Sequence, residues 1–233
     1  GKTTLIAAVV AALKELRIKP VLLAPTGRAA KVLARYCGEQ ALTIHKRIYR
    51  QRTNADYESK FSLDFNREQG AVFIVDEASM LSDSTGDGAL FGSGSLLEDL
   101  VSYVRSGRGC RLILVGDSAQ LPPVGCDFSP ALDPATVSRY GEVVYGLMDE
   151  VVRQQMQSGI LFNATLVRCM LENRIYEIPK FEMDYPDFES VEGGDFMEKL
   201  QDAFDRYGRD EVIVITRSNK RANRYNEGIR RYI

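Results

Sequence analysis

Two adjacent carboxylates, Asp76 and Glu77, close the run Ala71-Val72-Phe73-Ile74-Val75. Five apolar residues, most of them β-branched or aromatic, predict a strand buried on both faces. A parallel strand presents its last residues at the carboxyl edge of its sheet, where α/β folds place their ligands. Two acids at that edge suit a metal-binding residue beside a base that activates water. An acidic pair ending a strand also reads as a solvated turn, and the pair alone does not decide between the two.

A second group lies upstream. Gly1-Lys2-Thr3-Thr4 runs into the helix-compatible stretch Leu5 to Leu16. This is the back half of the phosphate-loop pattern GxxxxGK[ST]. Lysine is a mobile point charge able to reach β- and γ-phosphates, and the following hydroxyl can ligate Mg²⁺. The helix start adds unpaired N–H groups for an anion. The front half of the loop and its strand are expected before Gly1, in a longer parent chain. A third polar group follows the apolar run Arg111 to Val115, as Gly116-Asp117-Ser118-Ala119-Gln120-Leu121-Pro122-Pro123-Val124-Gly125. A buried strand emptying into a turn stiffened by two prolines suggests a positioned side-chain sensor. Gln120 can donate to a phosphate and accept from water at once.

The elements that must position these groups alternate between strand and helix. Lys19 to Ala24 reads as a strand that enters Pro25-Thr26-Gly27-Arg28, with Thr26 capping a helix from Arg28 to Tyr36. Thr43-Ile44-His45-Lys46-Arg47 begins a second basic, helical segment. Residues 51–70 are polar and poorly periodic and read as a loop or small excursion. The Gly/Ser-rich stretch 81–95 holds aspartates without the spacing of an EF-hand. Leu96 to Val104 is helical, and Val212 to Thr216 reads as a late strand before a basic helix.

With 233 residues, 45% hydrophobic and 27% charged, the chain has the composition of an ordinary globular protein of one large or two modest domains. Four scattered cysteines and one histidine form no zinc pattern. No apolar run approaches the length of a membrane span, and the cytoplasm is the expected compartment. The net charge of −2 conceals segregation. Lys14 to Arg52 carries ten bases against two acids, and Arg217 to Arg231 six against one. Glu172 to Glu211 carries thirteen acids against five bases. Polarised charge of this kind steers a polyanion onto selected faces, although solvated helix faces give the same counts.

Taken in order, GKTT (1–4), APTGRAAK (24–31), TIH (43–45), DEAS (76–79) and GDSAQLPPVG (116–125) resemble the motifs of superfamily-one DNA helicases. The likeness is to the RecD-like and Pif-like branch, whose members move 5′ to 3′ along single-stranded DNA. Met148 to Gln154 is similar to the family's motif IV, and Val212 to Asn226 to a later stretch of its second lobe.

The resemblance implies an α/β, RecA-like P-loop fold: a parallel sheet flanked by helices, a first lobe over residues 1–150 and part of a second over 151–233. It implies ATP and Mg²⁺ as cofactors, with Gly1, Lys2, Thr3 and Thr4 at the nucleotide, and Thr3 and Asp76 at the metal. Glu77 is then the catalytic carboxylate, Lys2 and Gln120 contact phosphate, and Arg153 is the arginine that reaches the γ-phosphate. Thr26, Arg28, Lys31, His45 and Thr216 fall at DNA-facing positions, with Lys46, Arg47 and Tyr49 as further candidates. The partner implied is single-stranded DNA, or a duplex with a single-stranded tail, with no membrane. Closing motifs are expected beyond Ile233, and these 233 residues alone are expected to show weak or no helicase activity. Two other readings stay open. A P-loop NTPase with a non-helicase output accounts for Lys2, Thr3 and Asp76 but leaves Gln120 and Arg153 idle. A non-enzymatic DNA-binding fragment accounts for the charge alone.

Overall fold

The computed structural model describes residues 1–53, 59–83, 91–148 and 158–232. The chain divides into two units, Gly1–Arg153 and Gln154–Ile233. In the first, the order is α1 (Lys2–Glu15), β1 (Pro20–Ala24), α2 (Gly27–Cys37), β2 (Ala41–Thr43), α3 (Ile44–Ile48), β3 (Tyr49–Thr53), β4 (Ser59–Leu63), β5 (Val72–Val75), α4 (Leu96–Ser106), β6 (Arg111–Leu114) and α5 (Pro134–Ser138).

Four strands form a parallel sheet in the order β2-β1-β5-β6. The alternation within β5 explains the two layers around it. Val72 and Ile74 join Leu22 beneath Ile6 and Val10 of α1 and Leu33 of α2. Phe73 and Val75 join Leu23 on the other face, against Ile44 and Ile48 of α3 and Leu97, Leu100 and Val104 of α4. Every residue of β5 is buried, as a strand covered on both sides requires. The α/β class and the parallel sheet follow the sequence reading.

Helix starts are set by side chains. Thr26 Oγ1 accepts from the Ala29 N–H, Thr43 Oγ1 from the Lys46 N–H and Ser95 Oγ from the Glu98 N–H, each at 3.2 Å. From β1 the chain moves outward to β2, then returns past β1 to β5. That reversal falls at the carboxyl ends of β1 and β5, the position α/β folds use for ligands.

Within the stretch 51–70, read as a loop or small excursion, the described residues include the strands of a small excursion. β3 and β4 pair antiparallel, with Tyr49 opposite Leu63 and Gln51 opposite Phe61. Tyr49, Phe61 and Leu63 join the core beside α4, and Phe91 stacks on Phe61 with centroids 4.5 Å apart. The apolar face of this hairpin is completed by residues distant in sequence, so periodicity within it is weak. β2, too, has no signal of its own beyond its pairing with β1.

The second unit is helical in its regular elements among the described residues: α6 (Gly159–Glu172), α7 (Phe196–Tyr207) and α8 (Asn219–Tyr232). Asp187 accepts from the Ser158 hydroxyl at 2.6 Å and from the Gly159 N–H at 2.7 Å. Asn163 exchanges hydrogen bonds with the backbone of Glu182, both at 2.8 Å. These contacts fasten the acidic connector between α6 and α7 to the start of α6. The strand expected at Val212–Thr216 does not form. Ile213 and Ile215 are 67% and 87% exposed, and no strand lies beside them among the described residues. β-propensity without a neighbouring strand does not sustain one.

Candidate active site at the carboxyl edge of the sheet

Asp76 follows β5 directly and is 8% exposed. Its N–H donates to the Leu23 carbonyl at 3.0 Å, which fixes it beside the end of β1. Its Oδ1 accepts from the Glu77 N–H at 3.0 Å. Glu77 takes φ 54° and ψ 39°, a left-handed conformation that a β-carbon disfavours. A short 3₁₀ turn, Ala78–Met80, follows, and its first residue donates to the Val115 carbonyl at 2.9 Å. The ends of β5 and β6 are thereby tied together. Ser79 is fully buried and its hydroxyl has no hydrogen-bond partner among the described residues.

Lys2 opens the fourteen-residue helix α1. Its Nζ is buried and lacks a hydrogen-bond partner among the described residues, while Asp117 Oδ2 lies 3.9 Å away. A buried ammonium without hydrogen bonds is costly, and a ligand with several anionic oxygens is the chemistry that relieves it. The start of α1 adds its free N–H groups to the same anion. Thr3 and Asp76 are hard oxygen donors of the kind Mg²⁺ takes when substrate phosphates complete its shell. Among the described residues no group of three or more His, Cys, Asp or Glu gathers for a metal.

Gln120 stands exposed on the turn after β6, its N–H donating to the Asp117 carbonyl at 3.1 Å. Asp117 itself is the residue that sequence reasoning passed over. Its charge, one strand away from Asp76, was the available signal. At the end of α2, burial first, then the charges of Asp76 and Glu39, push the Cys37 thiol pKa up. Gly1 and Thr4 are exposed and Thr3 is half-buried. Arg153 lies outside the described residues.

Of the candidate DNA contacts, Thr26, Arg28 and Lys31 are exposed at the start of α2, adjoining the end of β1. His45 is half-buried between the rings of Tyr49 and Phe91, with centroids at 5.6 and 5.0 Å. Burial lowers its pKa, so it is neutral at pH 7. Thr216, in the second unit, donates its hydroxyl to the Ser218 carbonyl at 3.1 Å.

Two further candidates are occupied elsewhere. Tyr49 is buried and donates its hydroxyl to Asp99 at 2.7 Å, so its ring is not a platform for bases. Arg47 pairs with Glu68 at 2.6 Å, and Lys19 pairs with the same carboxylate at 2.8 Å. Lys19 precedes β1 and Glu68 lies upstream of β5, so this triad belongs to the amino edge of the sheet, opposite Asp76. Arg47 is a staple there rather than a phosphate contact.

A parallel sheet whose carboxyl edge collects a helix-start lysine, a strand-end acid pair and a glutamine turn defines a P-loop nucleotide-binding architecture. The AAA domain family matches residues 1–126, more than half of the chain. The chain belongs to this family, in its RecD-like, superfamily-one branch. It is similar to the ATP-dependent RecD2 DNA helicase of Deinococcus radiodurans, with 32% identity over 124 residues. That match covers 53% of this chain and 15% of the relative, so the chain aligns with a small part of the helicase's length.

Proposed function

We propose that this chain is the nucleotide-hydrolysing motor segment of a DNA helicase that moves 5′ to 3′ along single-stranded DNA. The observation that supports this best is the buried, hydrogen-bond-deficient Lys2 Nζ at the start of α1, on the same sheet edge as Asp76 and Glu77. The relative's ATP-dependent helicase activity agrees with that reading.

In this reading Lys2 neutralises the β- and γ-phosphate oxygens of ATP. Thr3 and Asp76 hold Mg²⁺, which when bound spreads the charge of the phosphates. Glu77 accepts from and orients the attacking water. Gln120 and Arg153 contact the γ-phosphate, while Gly1 and Thr4 line the phosphate path. Catalysis of this kind rests on positioning and charge stabilisation.

Residues 1–150 act as the first RecA-like lobe and 151–233 as part of the second. Thr26, Arg28, Lys31 and Thr216 hold DNA phosphates, contacts with little base specificity. His45, being neutral, contributes a hydrogen bond or ring contact rather than charge. Single-stranded DNA, or a duplex with a single-stranded tail, is the substrate, and the cytoplasm is the working compartment. Among the described residues no helix is long and apolar enough to cross a membrane.

Steady-state ATP hydrolysis by the protein that carries this chain, with and without single-stranded DNA, tests the proposal. Stimulation by DNA that disappears in Lys2→Ala is the expected result. Hydrolysis indifferent to DNA would point instead to a P-loop NTPase with another output.

A further inference from the structure

We propose that the cavity between α7 and α8 is a binding site for a nucleoside monophosphate whose base carries an exocyclic amino group. The site lies in the second unit and uses none of the residues assigned above to ATP or to DNA phosphates.

The two helices are held to one another by their own side chains. Phe196 and Tyr225 bring their rings to 5.3 Å at an interplanar angle of 58°. Ser218 fixes the start of α8: its hydroxyl accepts from the Arg221 N–H at 3.3 Å and its carbonyl from the Ala222 N–H at 3.0 Å. Tyr225 also lines a cavity of about 670 Å³. Small-molecule sites fall in the range of roughly 300–1,000 Å³.

The walls of this cavity differ in chemistry. α7 contributes acceptors, Glu198 and Gln201, three positions apart and so on one face of the helix. The Gln201 amide nitrogen donates to Asp205 Oδ1 at 3.0 Å, which leaves its side-chain oxygen to accept. α8 contributes cationic donors, Arg221 and Arg224, again three positions apart. Both arginines are exposed, as is Glu198, and none of the three joins an ion pair among the described residues. Opposite charges that line one cavity without meeting suit a ligand that is anionic at one end and a hydrogen-bond donor at the other.

The rest of the lining is Met197, the Tyr225 ring and Gly228. A flat ring gains from stacking on the tyrosine. Gly228 sits inside α8, where glycine weakens a helix. A β-carbon there would meet nothing within 4 Å. No neighbouring atom excludes a side chain at this position, so its absence serves to keep the cavity open.

A nucleoside monophosphate meets these demands together. Its phosphate matches the paired guanidinium forks. Its base offers a face to Tyr225. An amino group, as on cytosine, donates to Glu198 or Gln201, whereas the uracil carbonyl in the same place would face two acceptors. A free nucleotide and one residue of a polynucleotide share this chemistry.

The test is calorimetric titration of the protein that carries this chain with cytidine and uridine monophosphates, in wild type and in Lys2→Ala. Cytidine monophosphate is expected to bind equally in both proteins, with a roughly tenfold preference over uridine monophosphate. Arg224→Ala should weaken binding roughly tenfold or more. Gly228→Leu should abolish it by filling the cavity. Glu198→Gln alters an exposed side chain without changing its shape and should erase the preference for cytidine, which keeps the test intact if Gly228→Leu melts early. Competition with oligodeoxycytidylate separates the two sources. Displacement of the bound nucleotide, weakened by Arg224→Ala, assigns the site to a residue of a strand, and failure to displace assigns it to the free nucleotide. Absence of binding, equal affinity for the two nucleotides, or binding unaltered by Arg224→Ala and Glu198→Gln would overturn the proposal. Binding lost with Lys2→Ala would also overturn it, because the nucleotide would then sit at the phosphate site of the first unit.

Discussion

Asp76 accepts a 3.0 Å hydrogen bond from the backbone N–H of Glu77, whose own backbone is held in the left-handed region. A left-handed glutamate is strained, and such strain persists where surrounding structure imposes it, commonly at functional sites.

Replacing Glu77 separates strain from chemistry. Glu77→Gly removes the β-carbon and is expected to raise stability by roughly 1 kcal/mol in a denaturant melt. Glu77→Gln keeps the shape and is expected to lower ATP turnover by roughly 10²- to 10⁴-fold while nucleotide binding persists. Normal hydrolysis by Glu77→Gln would remove Glu77 from the catalytic set.

Gly116→Ala places a methyl between Leu132 and the Ser79 backbone, at 2.8 and 2.9 Å. The side chain can retreat but the backbone nitrogen cannot, so the turn must shift. A loss of about 1–3 kcal/mol in thermal or chemical unfolding is expected. An unchanged unfolding midpoint would show that β6 and the 3₁₀ turn are less closely joined.

Tyr49→Phe removes one donor from the buried Asp99, leaving the Ser93 N–H at 3.0 Å. Hydrogen bonds to a buried charge are worth more than neutral ones, and a cost of about 2 kcal/mol is expected. Burial, with Asp99 beside it, pushes the Tyr49 pKa up, so the phenol remains a donor through the alkaline range. A variant as stable as wild type would mean that Asp99 finds another donor.

Glu68 gives a pH signature. Its hydrogen bond from Lys19, aided by Arg47 and opposed by partial burial, lowers its pKa in the folded state. A lowered carboxylate pKa stabilises fully above the unfolded value, about 4.3 for glutamate, and that contribution is lost as pH falls through the folded value. The stability gap between wild type and Glu68→Gln is therefore expected to be level near neutrality and to close in acid. A gap that widened in acid would reverse the sign of the linkage.

The sheet core was legible because β5 is an unbroken apolar run, and buried parallel strands require one. That Lys2, the acid pair and Gln120 stand out as polar groups at helix start, strand end and turn was legible from residue type and order. What escaped depends on closure of the chain. Glu68 lies 21 positions from Arg47, so nothing local marked that arginine as paired. The β3–β4 hairpin borrows its apolar partner Phe91 from beyond β5, which left its own stretch looking like a loop. Asp117 was in plain view within the third motif, but its relation to Lys2 appears only once α1 meets the end of β6.

The central claim is that Lys2 belongs to a nucleotide site whose turnover is linked to DNA. The most direct measurement is the rate of ATP hydrolysis across a titration of single-stranded DNA, for wild type and Lys2→Ala side by side. A wild-type rate that rises and saturates with DNA, against a flat baseline for Lys2→Ala, is the expected result. Equal rates for the two proteins, or a wild-type rate indifferent to DNA, would contradict it.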